Sequence, residues 1–267
     1  MSGFYIGVDG KARKVKGGFI GVDGKARKIK KGYIGVNGVA RLCWSDVDPV
    51  FANNSWEEIA VACQNGNVPD SWAVGDQKTM TIDGYDYTID IIGKNHDDYA
   101  DGSGKAPLTF QFHETYVVGY GMHSQSTNSC GWGSSQMRTE RLPGILSLMP
   151  EIVKSSIKEV SKRTSAGNKS TNIVTTSDKL FLLSEVEIFG TTTKSVSGEG
   201  TQYEYYKTRD KIKREINNGV YTGDANAWWA RSPVKEDTYY FCRVTNKGEA
   251  SEGSAASGGY QAPAFCF

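Results

Sequence analysis

Hydrophobic and polar positions alternate in three consecutive copies of one 14-residue unit at the start of the chain. The copies read YIGVDGKARKVKGG from Tyr5, FIGVDGKARKIKKG from Phe19 and YIGVNGVARLCW from Tyr33. Each has a short alternating strand, an Asp-Gly or Asn-Gly pair and a second, basic strand. Both pairs tolerate positive φ, so each copy predicts a β-hairpin with a two-residue turn.

The turn also predicts the register of the first hairpin. The expected cross-strand pairs are Val8 with Lys11, Ile6 with Arg13, and Gly7 with Ala12. A lone two-stranded ribbon has no core and is marginally stable in water. Stacking of the repeats, or packing against the same ribbon of neighbouring chains, would bury Ile6, Val8 and Val15. Residues 1–44 are therefore predicted to form a stem that mediates assembly.

A polar junction over residues 45–54 precedes a predicted globular head over residues 55–267. Ser55 and Glu58 form a capping box that starts a helix, and Gly66 ends it. Asp83-Gly84 predicts a hairpin between two alternating strands. Ser184 and Glu187 form a second possible capping box.

Further segments of the head are predicted from the spacing of their apolar residues and from their composition. Residues 108–122 and 180–184 are predicted as strands, and residues 203–216 as a charged helix. Residues 138–164 are expected to form two helices separated at Pro150. In the second helix the apolar face would hold Ile152, Ile157 and Val160, and another face would hold Lys154, Lys158 and Lys162. Short strands in WWARSP, YYFCRVTNKGEAS and YQAPAFCF complete an α+β fold.

Charge is unevenly distributed along the chain. Residues 1–41 hold ten Lys and Arg against two Asp, a balance of +8, while the remainder has 21 basic and 28 acidic residues, a balance of −7. Lysines on a strand face discourage edge-to-edge aggregation. Nucleic-acid binding is the alternative, but no aromatic-basic motif accompanies the charge, so we expect no nucleic-acid partner. No apolar run suggests membrane insertion or a signal peptide, which predicts cytoplasmic synthesis.

Candidate chemistry is sparse. Five cysteines form no metal-ligand pair, and Cys242 and Cys266 have apolar neighbours typical of packed, inert thiols. Cys130 with His113 or His123 only superficially resembles a cysteine-protease arrangement. The Asp97 to Gly102 loop is rich in carboxylates but lacks the ligand order of a calcium loop. We expect no catalytic residue, no metal and no cofactor.

Several blocks of the head resemble a domain of unknown function that is common in prophages and surface proteins of gut bacteria. The blocks include SWEEIAVACQNGNVPDSWAVGDQKTMTIDG, TNSCGWGSSQMR, DKLFLLSEVEIFG, WWARSP and the terminal APAFCF, and they recur in order over residues 55–267. The stem resembles the repeat that begins many phage tail and fibre-associated proteins.

The resemblance implies a C-type-lectin-like fold, of the type shared by formylglycine-generating enzymes and the variable proteins of diversity-generating retroelements. In those variable proteins the C-terminal segment displays the ligand surface on a fixed scaffold. The scaffold here would be Trp229, Phe241, Val244, Phe265 and Phe267. The displayed, ligand-binding residues would be Asp237, Thr238, Tyr239, Tyr240, Arg243, Thr245, Asn246, Glu249, Ser251, Glu252 and Tyr260.

The sequence thus predicts a receptor-binding or adhesion protein, without enzymatic activity, from a phage or prophage tail. Its partners would be a protein or glycan receptor on a bacterial surface and other tail proteins, and it would form a homo-oligomer, with a trimer favoured by the resemblance. It would reside in the virion after cytoplasmic assembly, or on the bacterial surface if a host adhesin uses the same head. The other alternative is an oxidase related to formylglycine-generating enzymes.

Overall fold

The computed structural model describes residues 5–8, 10–14, 18–217 and 220–267. The chain divides into two compact units. The first runs to Ala73 and also includes Phe267, and the second spans Val74–Cys266.

Three antiparallel hairpins form the repeats, and each is a separate two-stranded sheet. They pair β1 (Tyr5–Val8) with β2 (Lys11–Lys14), β3 (Phe19–Val22) with β4 (Lys25–Lys28), and β5 (Lys31–Val36) with β6 (Val39–Ser45). The predicted register of the first hairpin is confirmed. In the second, Asp23 and Gly24 have φ values of 52° and 75°, which a two-residue turn of this kind requires.

The apolar side chains of the second and third hairpins are exposed. Phe19 is 69% exposed, Ile20 55% and Ile34 51%. Stacking within one chain therefore does not bury these side chains, and burial against neighbouring chains stays a prediction. The burial of Ile6, Val8 and Val15 lies outside the described residues.

The third hairpin packs on helix α1 (Trp56–Asn65). Leu42 and Trp44 of β6 are buried, and Asn65 Nδ2 donates to the Cys43 carbonyl at 2.9 Å. The capping box at Ser55 and the left-handed cap at Gly66 are both present, as predicted. Helix α1 belongs to the same compact unit as the hairpins. The predicted division of the chain into a stem (1–44), a junction (45–54) and a head (55–267) stays a prediction.

A five-stranded antiparallel sheet forms the centre of the second unit, in the order β12-β18-β9-β8-β7. Its strands are β7 (Gln77–Ile82), β8 (Tyr85–Lys94), β9 (Leu108–Phe112), β12 (Leu180–Phe181) and β18 (Ala264–Cys266). The Asp83-Gly84 hairpin is confirmed. Strand β18 lies between β12 and β9, so the predicted burial of the terminal APAFCF segment is also confirmed.

The remaining strands form a three-stranded sheet and two hairpins. The sheet contains β15 (Trp228–Pro233), β16 (Tyr240–Val244) and β17 (Ala250–Ser254), while β10 (Val160–Ser165) pairs with β11 (Ile173–Asp178) and β13 (Lys213–Asn217) with β14 (Val220–Asn226). The helices are α2 (Leu142–Leu148), α3 (Glu151–Ser156), α4 (Glu185–Phe189) and α5 (Glu204–Thr208). The fold is a mixture of small antiparallel sheets and short helices, as the α+β prediction requires.

The predicted helix after Pro150 is too long. Helix α3 ends at Ser156, and residues 160–165 form β10, paired along its length with β11. Lys162 therefore lies in a strand and is buried, not on a solvated helix face. The helix-like spacing of apolar residues in this segment does not decide its structure, because each residue of β10 gains a cross-strand neighbour in β11.

The predicted helix over residues 203–216 is also largely wrong. Only α5 is helical, and residues 213–217 form β13. Asp210 Oδ1 accepts a hydrogen bond from Ile212 N at 3.0 Å, a turn that separates the two elements. The strands predicted over 108–122 and 180–184 are shorter than expected, since β9 ends at Phe112 and β12 at Phe181, although residues 180–184 are all buried.

A buried ion-pair network links the second unit internally. Lys162 Nζ lies 2.7 Å from Asp97 Oδ1 and 2.8 Å from Glu187 Oε1, and Arg231 binds Glu187 through both of its terminal nitrogens. Arg231 Nη1 also donates to the Leu182 carbonyl at 2.8 Å. Arg231 of the WWARSP block thus fastens β15 to Glu187 of α4 and to the backbone at Leu182. The predicted capping box of Ser184 and Glu187, which starts α4, is confirmed.

Within the part of the chain that the structure describes, no helix has both the length and the apolar character needed to cross a bilayer.

Candidate functional site: the C-terminal surface

The residues predicted to bind a ligand lie on and around the sheet β15–β16–β17, which we call the C-terminal surface (residues 237–260). The five side chains predicted as its scaffold are all buried: Trp229, Phe241, Val244, Phe265 and Phe267. Strand β16 pairs with β17 through Tyr240–Ser254, Arg243–Ser251 and Val244–Ala250. The scaffold part of the prediction is confirmed, whereas ligand binding itself stays a prediction.

The loop before β16 is held by one buried side chain, Asn128. Its Nδ2 donates to the carbonyls of Asp237 and Tyr240 at 2.8 and 2.9 Å, and its backbone N–H donates to the Thr238 carbonyl. Tyr239 is 55% exposed, whereas Tyr240 is only partly exposed. The expectation that at least one of these tyrosines is partly buried is confirmed, and Tyr239 is the outward one.

The turn after β16 is shaped by Thr245. Its hydroxyl accepts hydrogen bonds from the backbone N–H groups of Lys247 and Glu249 at 3.2 and 3.1 Å. Gly248 in the same turn has φ of 81°, which favours glycine. Asn246 and Glu249 are exposed. Thr245 therefore positions its neighbours, and they are the side chains of this turn that a ligand can reach.

The pleat of the sheet divides the predicted residues between its two faces. Tyr240 and Glu252 share one face, while Arg243 and Ser251 share the other with Trp229. The loop residues 237–239 and the turn residues 245–249 lie at opposite ends of β16, and residues 239 and 245 are roughly 20 Å apart at about 3.3 Å per residue. The structure thus places the predicted residues in groups and not in one continuous row.

Arg243 is the unusual residue of this surface. Its side chain is partly exposed, yet Nε is buried and has no hydrogen-bond partner among the residues that the structure describes. A buried N–H without an acceptor costs about 1–3 kcal/mol.

Glu252 has a partner that sequence reasoning missed. Lys194 Nζ lies 2.9 Å from Glu252 Oε2, and each side chain is 37% exposed. The buried carboxylate of Glu185 accepts hydrogen bonds from the backbone N–H groups of Lys194 and Ser195, which fixes the loop that carries Lys194. Nothing in the sequence signals this pair, because 58 positions separate its members.

Tyr260 is set apart from the other predicted residues. Its backbone pairs with Trp228 in an isolated bridge, and a hydrogen bond to Glu215 is the main cause that raises the pKa of its hydroxyl. Tyr260 therefore already has a hydrogen-bonding partner within the chain.

The cysteines with apolar neighbours are buried, as predicted. Cys242 is 1% exposed and Cys266 fully buried, and burial raises the pKa of both thiols well above the usual value. Cys130 is partly exposed, and burial raises its pKa as well. His113 pairs with Asp90 at 2.8 Å.

The carboxylates of the loop after β8 do not converge. Asp97 is buried against Lys162, Asp98 pairs with Lys105 at 2.9 Å, and Asp101 accepts a hydrogen bond from Ser103 N. No group of three or more potential metal ligands is found in the described ranges. The loop is therefore explained by contacts within the chain.

A second group of polar residues was not anticipated from the sequence. His113 and Lys213 line a pocket beside α5, and the buried Asp90 pairs with His113, although the three residues are distributed over 124 positions. His113 follows a buried strand directly, which is the one local signal that could have suggested it.

Comparison with known proteins gives one match. A family model described as "Domain of unknown function" matches residues 112–267, which include the three-stranded sheet, the terminal strand and the buried ion-pair network from Lys162 onward. No curated protein matches the chain, and no solved structure matches it. Because the family model covers more than half of the chain, this protein belongs to the family of the domain of unknown function DUF6273.

Proposed function

We propose that this protein is a receptor-binding or adhesion protein whose C-terminal surface binds a ligand on a bacterial cell. The head is proposed to be a C-type-lectin-like domain that works by binding and not by turnover. The ligand would be a protein or a glycan on that cell. A host-encoded adhesin with the same head is the alternative within the same class.

The observation that carries this proposal is that an arginine and a tyrosine are displayed on a scaffold of buried side chains. Arg243 is partly exposed on β16, and Tyr239 lies outward on the loop that Asn128 fixes. Arginine and tyrosine dominate the energetics of protein interfaces. Side chains held by a fixed backbone lose little entropy on binding.

The stem supports the assembly part of the proposal. Its exposed Phe19, Ile20 and Ile34 are apolar surface that a copy of the chain or another tail protein would cover. We propose a homo-oligomer, with a trimer favoured, incorporated into a phage or prophage tail.

Replacement of the two candidate anchors tests the proposal. Tyr239→Ala combined with Arg243→Gln should leave the head folded and weaken binding to target cells or to an arrayed glycan by about 2 kcal/mol or more. The measurements are cell or glycan-array binding and a thermal melt on the same preparation.

Lys179→Ala is the matched control, because Lys179 is exposed and lies outside the C-terminal surface. It should leave both binding and the melt unchanged. If the double variant also binds like the unmodified protein with an unchanged melt, the ligand site lies elsewhere, and the loops at 95–107 and 123–136 become the next candidates.

A further inference from the structure

A pocket of about 300 Å³ opens in the second unit beside α5 and the start of β13. This volume is at the lower end of the range for small-molecule sites. Most of the charged groups around it are basic. The lining includes His113, Tyr205, Arg209, Lys211, Lys213 and Arg214.

Lys213 is a buried cation at the pocket. It is only 4% exposed, and its Nζ donates to the carbonyls of Phe112 and His113 at 2.5 and 3.2 Å. An ammonium group has three N–H donors, of which these carbonyls accept two, and Nζ also lies 5.6 Å from the centre of the Trp228 ring. Burial lowers the pKa of Lys213 to about 8, so the group is still mostly protonated at neutral pH.

The acidic residues near Lys213 do not neutralise the pocket. Asp90, Glu114 and Asp210 act on Lys213 only at longer range, since none of the described carboxylates lies within 4 Å of its Nζ. Asp90 instead accepts hydrogen bonds from His113 Nδ1 and Gln77 Nε2, both at 2.8 Å.

The pairing with Asp90 also leaves one nitrogen of His113 available. Burial opposes ionisation of Asp90, but the hydrogen bond from His113 and the charge of Lys213 hold the pKa of the carboxyl below its usual value. An ionised carboxylate only accepts hydrogen bonds, so Nδ1 is the donor. Nε2 is then free to face solvent or a ligand on a side chain that is 41% exposed.

Arg209 supplies a second cation without a carboxylate partner in the described part of the chain. Its guanidinium lies over the ring of Tyr205, 5.2 Å from the ring centre. It also occupies the space next to Gly75, where an added Cβ would lie 2.1 Å from Nη2. Asp210, the acidic residue of the lining, accepts a hydrogen bond from Ile212 N.

We propose that this pocket binds a small organic anion, namely a carboxylate or phosphate group on a molecule of about monosaccharide size. Lys213 and Arg209 would donate charge-assisted hydrogen bonds to the anion, and the tyrosine edges would contact the remainder of the ligand. The proposal is independent of ligand binding at the C-terminal surface, because it involves none of the residues proposed there.

Titration calorimetry on the full chain tests it with three probes: glucuronate, its neutral counterpart glucose, and inorganic phosphate. We expect glucuronate, phosphate or both to bind at millimolar or lower concentration, glucose not to bind, and the affinity to fall as salt rises. Binding of one anion alone identifies which group the pocket accepts.

Arg209→Gln should weaken anion binding about tenfold, as loss of a charge-assisted hydrogen bond predicts. Lys207→Gln is the matched control, because Lys207 lies in α5 two residues before Arg209, pairs with Glu204 and does not line the pocket. The proposal is overturned if neither anion binds at about 10 mM, a weak-affinity limit. Equal binding of glucose and glucuronate, or unchanged binding by Arg209→Gln, also overturns it.

Discussion

At the residue scale, one buried network of the second unit balances two carboxylates with two cations, and the buried carboxylate of Glu199 lies beside it. Asp97 and Glu187 are balanced by Lys162 and Arg231. Burial, and secondarily the negative charge of Glu187, raise the pKa of Glu199 to about 7 against an ordinary value of 4.5. The hydrogen bonds that its carboxylate accepts from Ser165 N and from the Ser232 hydroxyl oppose this rise. In the folded protein Glu199 is therefore mostly neutral below about pH 7 and mostly ionised above it.

This predicts a loss of stability between about pH 4.5 and 7. The folded state holds the proton of Glu199 more tightly than the unfolded chain, so the stabilisation is complete below the unfolded pKa and is lost as pH rises through the folded value. The full effect is about 3 kcal/mol at 1.36 kcal/mol per pKa unit.

Glu199→Gln should remove most of this pH dependence, because an amide does not ionise. Thermal melts at pH 5 and pH 8 should show a smaller difference for the variant than for the unmodified protein. An equal difference in both proteins would contradict the assignment.

A second prediction at this scale concerns the thiols. Burial raises the pKa of Cys242 and Cys266, and a thiol that stays protonated is a poor nucleophile. Both should resist iodoacetamide in the native state and react after unfolding, as judged by mass spectrometry of peptides, while the partly exposed Cys43 serves as the internal comparison. Rapid native labelling of Cys242 or Cys266 would instead favour the oxidase-like alternative.

At the scale of elements, we expect the second unit to depend on its last strand, β18, which lies between β12 and β9. Phe265 of β18 is fully buried. It pairs across the sheet with Leu180 of β12 on one side and with Phe110 of β9 on the other. A strand with neighbours on both edges cannot be removed without exposing two rows of backbone groups.

Phe265→Ala should lower the free energy of unfolding by about 3–5 kcal/mol, the usual cost of truncating a buried Phe. Leu148→Ala, at a side chain that is 45% exposed, should change it by about 0.5 kcal/mol or less. Denaturant titration measures both. Deletion of the last six residues should abolish soluble expression, and a soluble, folded truncation would show that β18 is dispensable.

At the scale of the whole molecule, the stem sets the expected assembly. The second hairpin exposes its apolar side chains, whereas the third is anchored on α1. Removal of residues 1–30 deletes the contacts of Lys28 and Lys30 with Asp46 but keeps β5, β6 and α1, so we expect β6 to stay packed on α1.

Light scattering should show an oligomer for the full chain and a smaller species for the chain without residues 1–30. Phe19→Ser with Ile20→Ser is the milder variant, which keeps the chain length and should also reduce assembly, since both side chains are exposed in the single chain. A full chain that is monomeric at micromolar concentration contradicts assembly through the stem.

Local signals in the sequence were sufficient for several features. Capping boxes at Ser55 and Ser184, the turn at Asp83-Gly84 and the register of the first hairpin depend on residues within a few positions of each other, so their hydrogen bonds follow from local chemistry. The burial of the APAFCF terminus follows equally from its apolar composition.

Only the tertiary structure decided the rest, because the deciding partners are far apart in sequence. The helical spacing of residues 151–164 predicted that Lys162 lies on a solvated helix face. In the structure β10 pairs with β11, and Lys162 is buried against Asp97, 65 positions away. Lys213 likewise became a buried pocket cation through carbonyls about 100 positions earlier. The spacing of apolar residues depends only on neighbours along the chain. Burial of a charge depends instead on which counter-charges and hydrogen-bond acceptors the fold brings to it.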